Sequence, residues 1–494
     1  MPENCDPRDV AAKSFFIGPQ SENGDWFARL TGRTLARWLE WRRGIFPEDG
    51  AAISPSDQAN AEFRACQASF EACAADLSRR FEGELPRFSP RYLGHMLSEI
   101  SLPALLGHWI ATLHNPNNIS TESAPVGVQI EREAIDELRR MAGFSESAIG
   151  HFVSCGSVAN FEATLRARDR IAIRLSAEGS LKRGSVFATA HSGWDESPAP
   201  CAPLTEIEIA AKIQGLGLPA YAGSIMLVPE NKHYSWVKAA HLLGIGVNNI
   251  WPIGLDRDGV AKPQELRRLI EKARSLDRPI ALIVSVVGTT ELGNIDPAHE
   301  VQDLLDGYRE REGLHFWHHI DGAYGGFLLS LRDASPAVFD ERCHQALRAV
   351  ARANSLTIDP HKLGYAPYAC AAFICRDRRD YAARSFDSPY IQYRDRWEPG
   401  PFTIEGSRSA SGPAATWLTL KAIGSGAEGY GRIVARTVHM REILATELAA
   451  IGESVRVLPA HHSNVLCFTV GARGGRLSEA NEWVNRFYQH HSSP

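Results

Sequence analysis

From about residue 150 the chain alternates between short apolar runs and amphipathic stretches, an order that few architectures accept. The runs "SIMLVPE", "PIALIVSVVG", "HFWHHID", "NSLTID" and "ACAAFIC" read as strands, and segments such as "KPQELRRLIEKARSL" between them read as helices. Strands separated by helices specify a parallel or mixed sheet covered by helices on its faces. The chain has 494 residues, which suits one large α/β core with appendages.

Before that core the pattern is helical. "SENGDWFARLTGRTLARWLEWRR" places Trp26, Phe27, Leu30, Leu35, Trp38 and Leu39 near helical spacing. A second helix is expected after "SPSD", capped by Ser56 or Asp57, and a third in "VQIEREAIDELRRMAGF". The stretch from Pro86 to Pro125 reads as irregular chain with a short helix, and Ala177 to Gly223 as a long surface loop or insertion. Beyond residue 400, two helices and the strand "SNVLCFTV" follow. The expected organisation is a helical segment over 1–125, a large α/β domain over 126–400 and a small α+β domain over 401–494.

A net charge of −5 argues against general nucleic-acid binding. No apolar run reaches the length of a membrane span, and the N-terminus shows no basic-then-apolar secretory pattern. The nine cysteines form no CxxC pair, so a reduced, cytoplasmic protein is expected.

In open α/β sheets ligands gather at the carboxyl ends of the strands. There the chain places Asn231, Lys232 and His233 after the first strand, Thr289 and Thr290 after the second, Asp321 after the third, and His361 and Lys362 after the fourth. Each has an ordinary reading alone: Asp321 as a turn residue, His233 as a core or surface histidine, Lys362 as a lysine snorkelling to water. Together they match what pyridoxal phosphate (PLP) requires, a lysine for attachment and a carboxylate at the pyridine nitrogen. "SCGSVANFEATLRARD" adds a helix start at Gly156 and Ser157, where free N–H groups hold a dianion. Apolar sequence flanks Lys362, an expected setting for an amine that is not a permanent ammonium.

The segments "CGSVAN", "HYSWVKAAHLLGIG", "VVGTTELGNIDP", "WHHIDGAYGG", "DPHKLGYAPY" and "EGSRSASGPAATW" resemble, in order, the group II pyridoxal-dependent amino-acid decarboxylases. "SPRYLGHMLSE" and "PNNISTESAP" bring it nearest to the bacterial tyrosine decarboxylases. The resemblance implies fold type I, the PLP-dependent transferase-like fold: a mainly parallel seven-stranded sheet flanked by helices. It implies decarboxylation of an L-amino acid, expected to be aromatic, by a homodimer. It also implies roles. Lys362 carries PLP, Asp321 pairs with the pyridine nitrogen, and Thr290 supports that side of the ring. Ala323 and His233 lie on the two ring faces. Gly156 and Ser157 bind phosphate with His361 near. Tyr390 is the loop proton donor, His95 and Tyr368 line the substrate pocket, and Ser407 and Arg408 reach a partner's phosphate.

Cys155, Val158 and Gly322 depart from the family's usual Gly, acidic residue and Ala, and the C-terminal domain reads as short for the family. A PLP-dependent carbon–carbon lyase and a non-catalytic homologue are the alternative readings of this sequence.

Overall fold

A computed structural model of the chain describes residues 7–94, 96–176, 185–193, 205–215, 222–334, 338–386, 388–458, 463–470 and 476–491. The chain divides into two units, one of Lys13–Leu102 and one of Met1–Ala12 with Pro103–Pro494.

The larger unit is built on a seven-stranded sheet in the order β1-β7-β6-β5-β4-β2-β3. The strands are β1 (Ile149–Val153), β2 (Ile225–Pro229), β3 (Ile250–Ile253), β4 (Ile280–Val286), β5 (His318–Gly322), β6 (Ser355–Ile358) and β7 (Ala371–Cys375). β2, β3, β4, β5 and β6 pair in parallel, whereas β7 runs antiparallel to both β1 and β6. Every residue of β2, β4, β5, β6 and β7 is buried, because helices cover both faces. That is why these strands read as continuous apolar runs rather than alternating ones.

The pleat divides the core in two. Met226 and Val228 of β2 face one cluster, and Ile225 and Leu227 face the other. The first cluster is closed by the Gly156–Ser176 helix, which presents Ala159, Ala163, Ala167, Ile171 and Leu175 at four-residue spacing. Its three alanines let the helix lie close on the sheet. The second cluster is closed by Leu266, Leu269, Ile270 and Ala273 of Pro263–Ser275 and by Val301, Leu304, Leu305 and Tyr308 of Ala298–Glu312.

All five expected strands are present. The two that sequence did not single out, β1 and β3, are the two edges of the sheet. β3 contains Pro252, whose missing N–H argues against a strand except at an edge. The expected surface loop at 177–223 is corrected in its described parts. Val186–Ala190 and Glu206–Gly215 are helices, and Phe187, Ile209 and Ile213 belong to the core. At the C-terminal end, β8 (Val455–Val457) and β9 (Phe468–Val470) pair antiparallel beside the Arg432–Ala450 and Leu477–His491 helices. Only the last three residues of "SNVLCFTV" are strand.

In the smaller unit, Gly24–Ile45 is helical as expected. The expected second helix is instead two. Ser54 caps Pro55–Ala59 through a reciprocal pair: Asp57 N–H donates to Ser54 Oγ (3.1 Å), and Ser54 N–H donates to Asp57 Oδ2 (2.7 Å). Asn60 then breaks the helix and caps Ala61–Phe81, accepting from Glu62 N–H at 2.7 Å. Neither Gly24–Ile45 nor Ala61–Phe81 buries a residue.

Candidate active site

The carboxyl ends of β2, β4, β5 and β6 and the start of the Gly156–Ser176 helix enclose a cavity of about 230 Å³. Gly156, Ser157, His233, Thr290, Asp321, Ala323, His361 and Lys362 all line it, joined by Cys155, Asn160, Tyr324 and Asp359 among others. The eight residues assigned to the cofactor from sequence therefore meet in one place. Tyr368 and Tyr390 are exposed and do not line it. Tyr368 instead lays its ring on His361, 4.2 Å between centroids. His95 lies outside the described residues.

Asp321 is the penultimate residue of β5 and is almost fully buried. Its Oδ2 accepts from Asn160 Nδ2 (2.9 Å) and Trp236 Nε1 (3.0 Å), and its Oδ1 from the Ala323 amide (3.2 Å). A buried carboxylate needs such donors. Asn160 is itself saturated: Nδ2 also donates to Ser235 Oγ (3.0 Å), and Oδ1 accepts from Thr357 Oγ1 (2.8 Å). Nothing in the local sequence by itself gives Asn160 or Trp236 a role at this site. The signals available were the placement of Asn160 one helical turn beyond Gly156 and of Trp236 three residues beyond His233.

His233 Nδ1 accepts the Ser235 amide N–H at 3.2 Å, which leaves the ring proton on Nε2. Burial lowers its pKa, and Lys362 adds to that against the pull of Asp321. The ring is therefore neutral at neutral pH. His361 is also held neutral by burial, despite Asp359 beside it.

Lys362 does not sit in the apolar surroundings its flanking sequence suggests. Its Nζ lies 3.0 Å from Asp359 Oδ2. Burial opposes the charge, but Asp359 and then Asp321 outweigh it and raise the lysine above its ordinary pKa. The strand residues around it are apolar, whereas the strand end is not. Arg408 is a second correction. It is buried and bound within its own chain to Glu131, to Phe152 O (3.1 Å) and to Asn118 O (2.8 Å), so its guanidinium is committed to the fold. Ser407 Oγ accepts from Asn117 Nδ2 at 3.0 Å.

The residues present fit PLP. The first-turn amides at Gly156 and Ser157 have no intrahelical acceptor and favour an anion. Glycine at 156 is required locally, because a Cβ there would meet the Asp359 carboxylate at 2.5 and 2.8 Å. A carboxylate and a lysine face the same space.

Fold and site together define a PLP enzyme of the α/β class. The family model for the pyridoxal-dependent decarboxylase conserved domain matches residues 219–470, and the chain belongs to that family. It is a PLP-dependent amino-acid decarboxylase, a carboxy-lyase. It is similar to an L-tyrosine decarboxylase of Enterococcus faecium, with 29% identity over 92% of this chain and 80% of that one. An L-tyrosine decarboxylase of Levilactobacillus brevis shares 28% identity over 98% of this chain and 83% of that one. In fold it is similar to Oryza sativa TDC with PLP and tryptamine, at a TM-score of 0.67 and 16% identity, covering 95% of this chain and 88% of that one.

Proposed function

We propose that the chain decarboxylates L-tyrosine or a close aromatic relative, with Lys362 as the attachment point for PLP. The observation that carries the assignment of roles is the convergence of a lysine, a carboxylate, a neutral imidazole and a helix N-terminus on one cavity. The aromatic substrate is supported by the similarity to two L-tyrosine decarboxylases.

When bound, PLP supplies the electron sink for the carbanion left as CO₂ departs. Asp321 holds a proton on the pyridine nitrogen, and Asn160 and Trp236 fix that carboxylate. The His233 and Ala323 side chains line the cavity and would hold the ring between them. Gly156 and Ser157 N–H groups hold the phosphate. Tyr390 delivers a proton to the substrate Cα from a segment that also excludes water when closed. Its exposure in the isolated chain fits a residue that moves to its site or serves the site of a partner.

A homodimer is proposed as the working form. The helices of the smaller unit leave Trp26, Trp41, Phe70 and Phe81 exposed, and large apolar side chains left in water are candidates for burial against a second copy. Equilibrium sedimentation tests it, and a monomer at micromolar concentration would refute it. A cytoplasmic location is supported by the described cysteines, which are all unpaired. Among the described residues no helix is long and apolar enough to cross a membrane.

The deciding experiment offers the PLP-loaded protein a panel of L-amino acids and measures CO₂ and amine. Tyramine from tyrosine, in preference to products from acidic or aliphatic substrates, is expected. Equal or greater turnover of an acidic amino acid would overturn the aromatic assignment. Tyr390→Phe is expected to release CO₂ while diverting product to aldehyde, and clean amine from that variant would remove the proton-donor role.

A further inference from the structure

Asp359 is the charged residue of the cavity for which the chemistry above has no task. It follows β6 directly and is 1% exposed. The Lys362 amide donates to Asp359 O at 3.0 Å, so one tight turn fixes both side chains and brings Nζ to 3.0 Å from Oδ2. Neither Asp359 oxygen has an aligned hydrogen-bond donor among the described residues. A buried carboxylate in that position is costly without a cation beside it, and Lys362 is the cation within reach. His361 Nε2, at 3.5 Å, belongs to a ring that burial keeps neutral.

We propose that Asp359 is the counter-ion of Lys362, holding the side chain as an ammonium ion aimed into the cavity whenever the lysine is not joined to the cofactor. The proposal rests on Lys362 being the attachment point and makes Asp359 a positioning residue. Burial alone dictates the opposite state, a neutral amine. The other groups facing Lys362 are Asp321 at the end of β5, His233 beyond β2, and Tyr368 and His361 on its own loop. The two imidazoles are neutral, and Asp321 already accepts three hydrogen bonds, so Asp359 decides the charge. Capture of the cofactor by this lysine then begins with loss of a proton from Nζ, and its rate should climb with pH through the alkaline range.

The test uses the cofactor-free full chain. Lysines are ¹³C-methylated, the Lys362 signal is assigned by its loss in Lys362→Arg, and its charge is followed by NMR as pH rises. The wild-type signal is expected to titrate above the ordinary lysine value of about 10.4. In Asp359→Asn it should titrate below that value, and Asp359→Glu should restore it towards wild type. A wild-type midpoint below the ordinary value would overturn the proposal, even if Asp359→Asn failed to fold. An unchanged midpoint in Asp359→Asn would also overturn it. Separately, borohydride reduction of the PLP-loaded wild type and peptide mapping locate the label. A label away from Lys362 refutes the attachment-point reading, while the NMR result still reports on the Lys362–Asp359 pair.

Discussion

Asn160 donates its side-chain amide to Asp321 across 2.9 Å, from the helix that starts at Gly156 to a carboxylate of β5 that lines the same cavity. One helix therefore ties Gly156 to Asp321, the two groups proposed to hold the phosphate and the pyridine nitrogen. Asn160→Ala removes this donor and leaves Asp321 with Trp236 Nε1 and the Ala323 amide. A hydrogen bond to a charged group contributes about 1.5–3 kcal/mol, so PLP affinity is expected to fall by about ten- to a hundredfold. Equilibrium titration by absorbance checks it, and unchanged affinity would mean that Asn160 has no part in tuning Asp321.

Gly156→Ala is expected to weaken the cofactor by about tenfold or more. The added methyl meets the Asp359 carboxylate at 2.5 Å and Ala323 Cβ at 3.0 Å, and overpacking of this kind costs about 1–3 kcal/mol. The damage should appear in PLP binding more than in melting temperature, since the clash is with the cavity wall. A variant that loses stability but binds PLP normally would show that the glycine serves the fold alone.

Three histidines make the fold sensitive to acid. His191, His318 and His319 are fully buried, and burial depresses each to about 3. In the unfolded chain they titrate near about 6.5. Their stabilising contribution is complete above that pH and is lost progressively as pH falls, because the unfolded chain takes up the protons first. Thermal unfolding should show the melting temperature dropping steadily from pH 7 to pH 5. A flat profile over that interval would contradict the assignment of all three as neutral.

Asp296 works in the opposite direction. Its oxygens accept the Ala261 and Val286 amides at 3.0 and 2.8 Å, yet burial prevails and pushes it up to about 6. A carboxyl raised in the folded state stabilises fully below its unfolded pKa of about 3.8, and that contribution is lost as pH rises through about 6. The stability of Asp296→Asn relative to wild type should therefore improve between pH 4 and pH 8, by roughly 2–3 kcal/mol. Any pH-independent cost of replacing one acceptor oxygen cancels in that comparison. Denaturant midpoints at the two pH values measure it, and a constant difference would show that folding leaves the Asp296 pKa unshifted.

The parts of the site that were legible in the sequence are those fixed by backbone position. Asp321 lies near the end of β5 and His233, Thr290, His361 and Lys362 each follow a strand, and a parallel sheet delivers such residues to one rim. Asn160 and Trp236 were not legible, because they reach Asp321 from helices 161 and 85 residues away in sequence, and nothing local marks a side chain as another's donor. Asp359 reads in sequence only as the end of the run "NSLTID", although it gives Lys362 its charge partner. β1 and β3 were missed for a related reason. Edge strands are covered on fewer sides, so Gly150 and Pro252 interrupt the apolar run that marks a central strand.

Pro252 has a consequence beyond having concealed β3. An edge strand offers a row of unpaired N–H and C=O groups on which another chain can build. Proline removes one donor from that row, and the cations of Lys272 and Arg278 lie over the neighbouring Trp251 ring at 4.7 and 5.6 Å. Growth of the sheet past β3 would meet a missing bond and a double positive charge. The residue that made the strand hard to recognise thus also disfavours the pairing of a further strand on this edge.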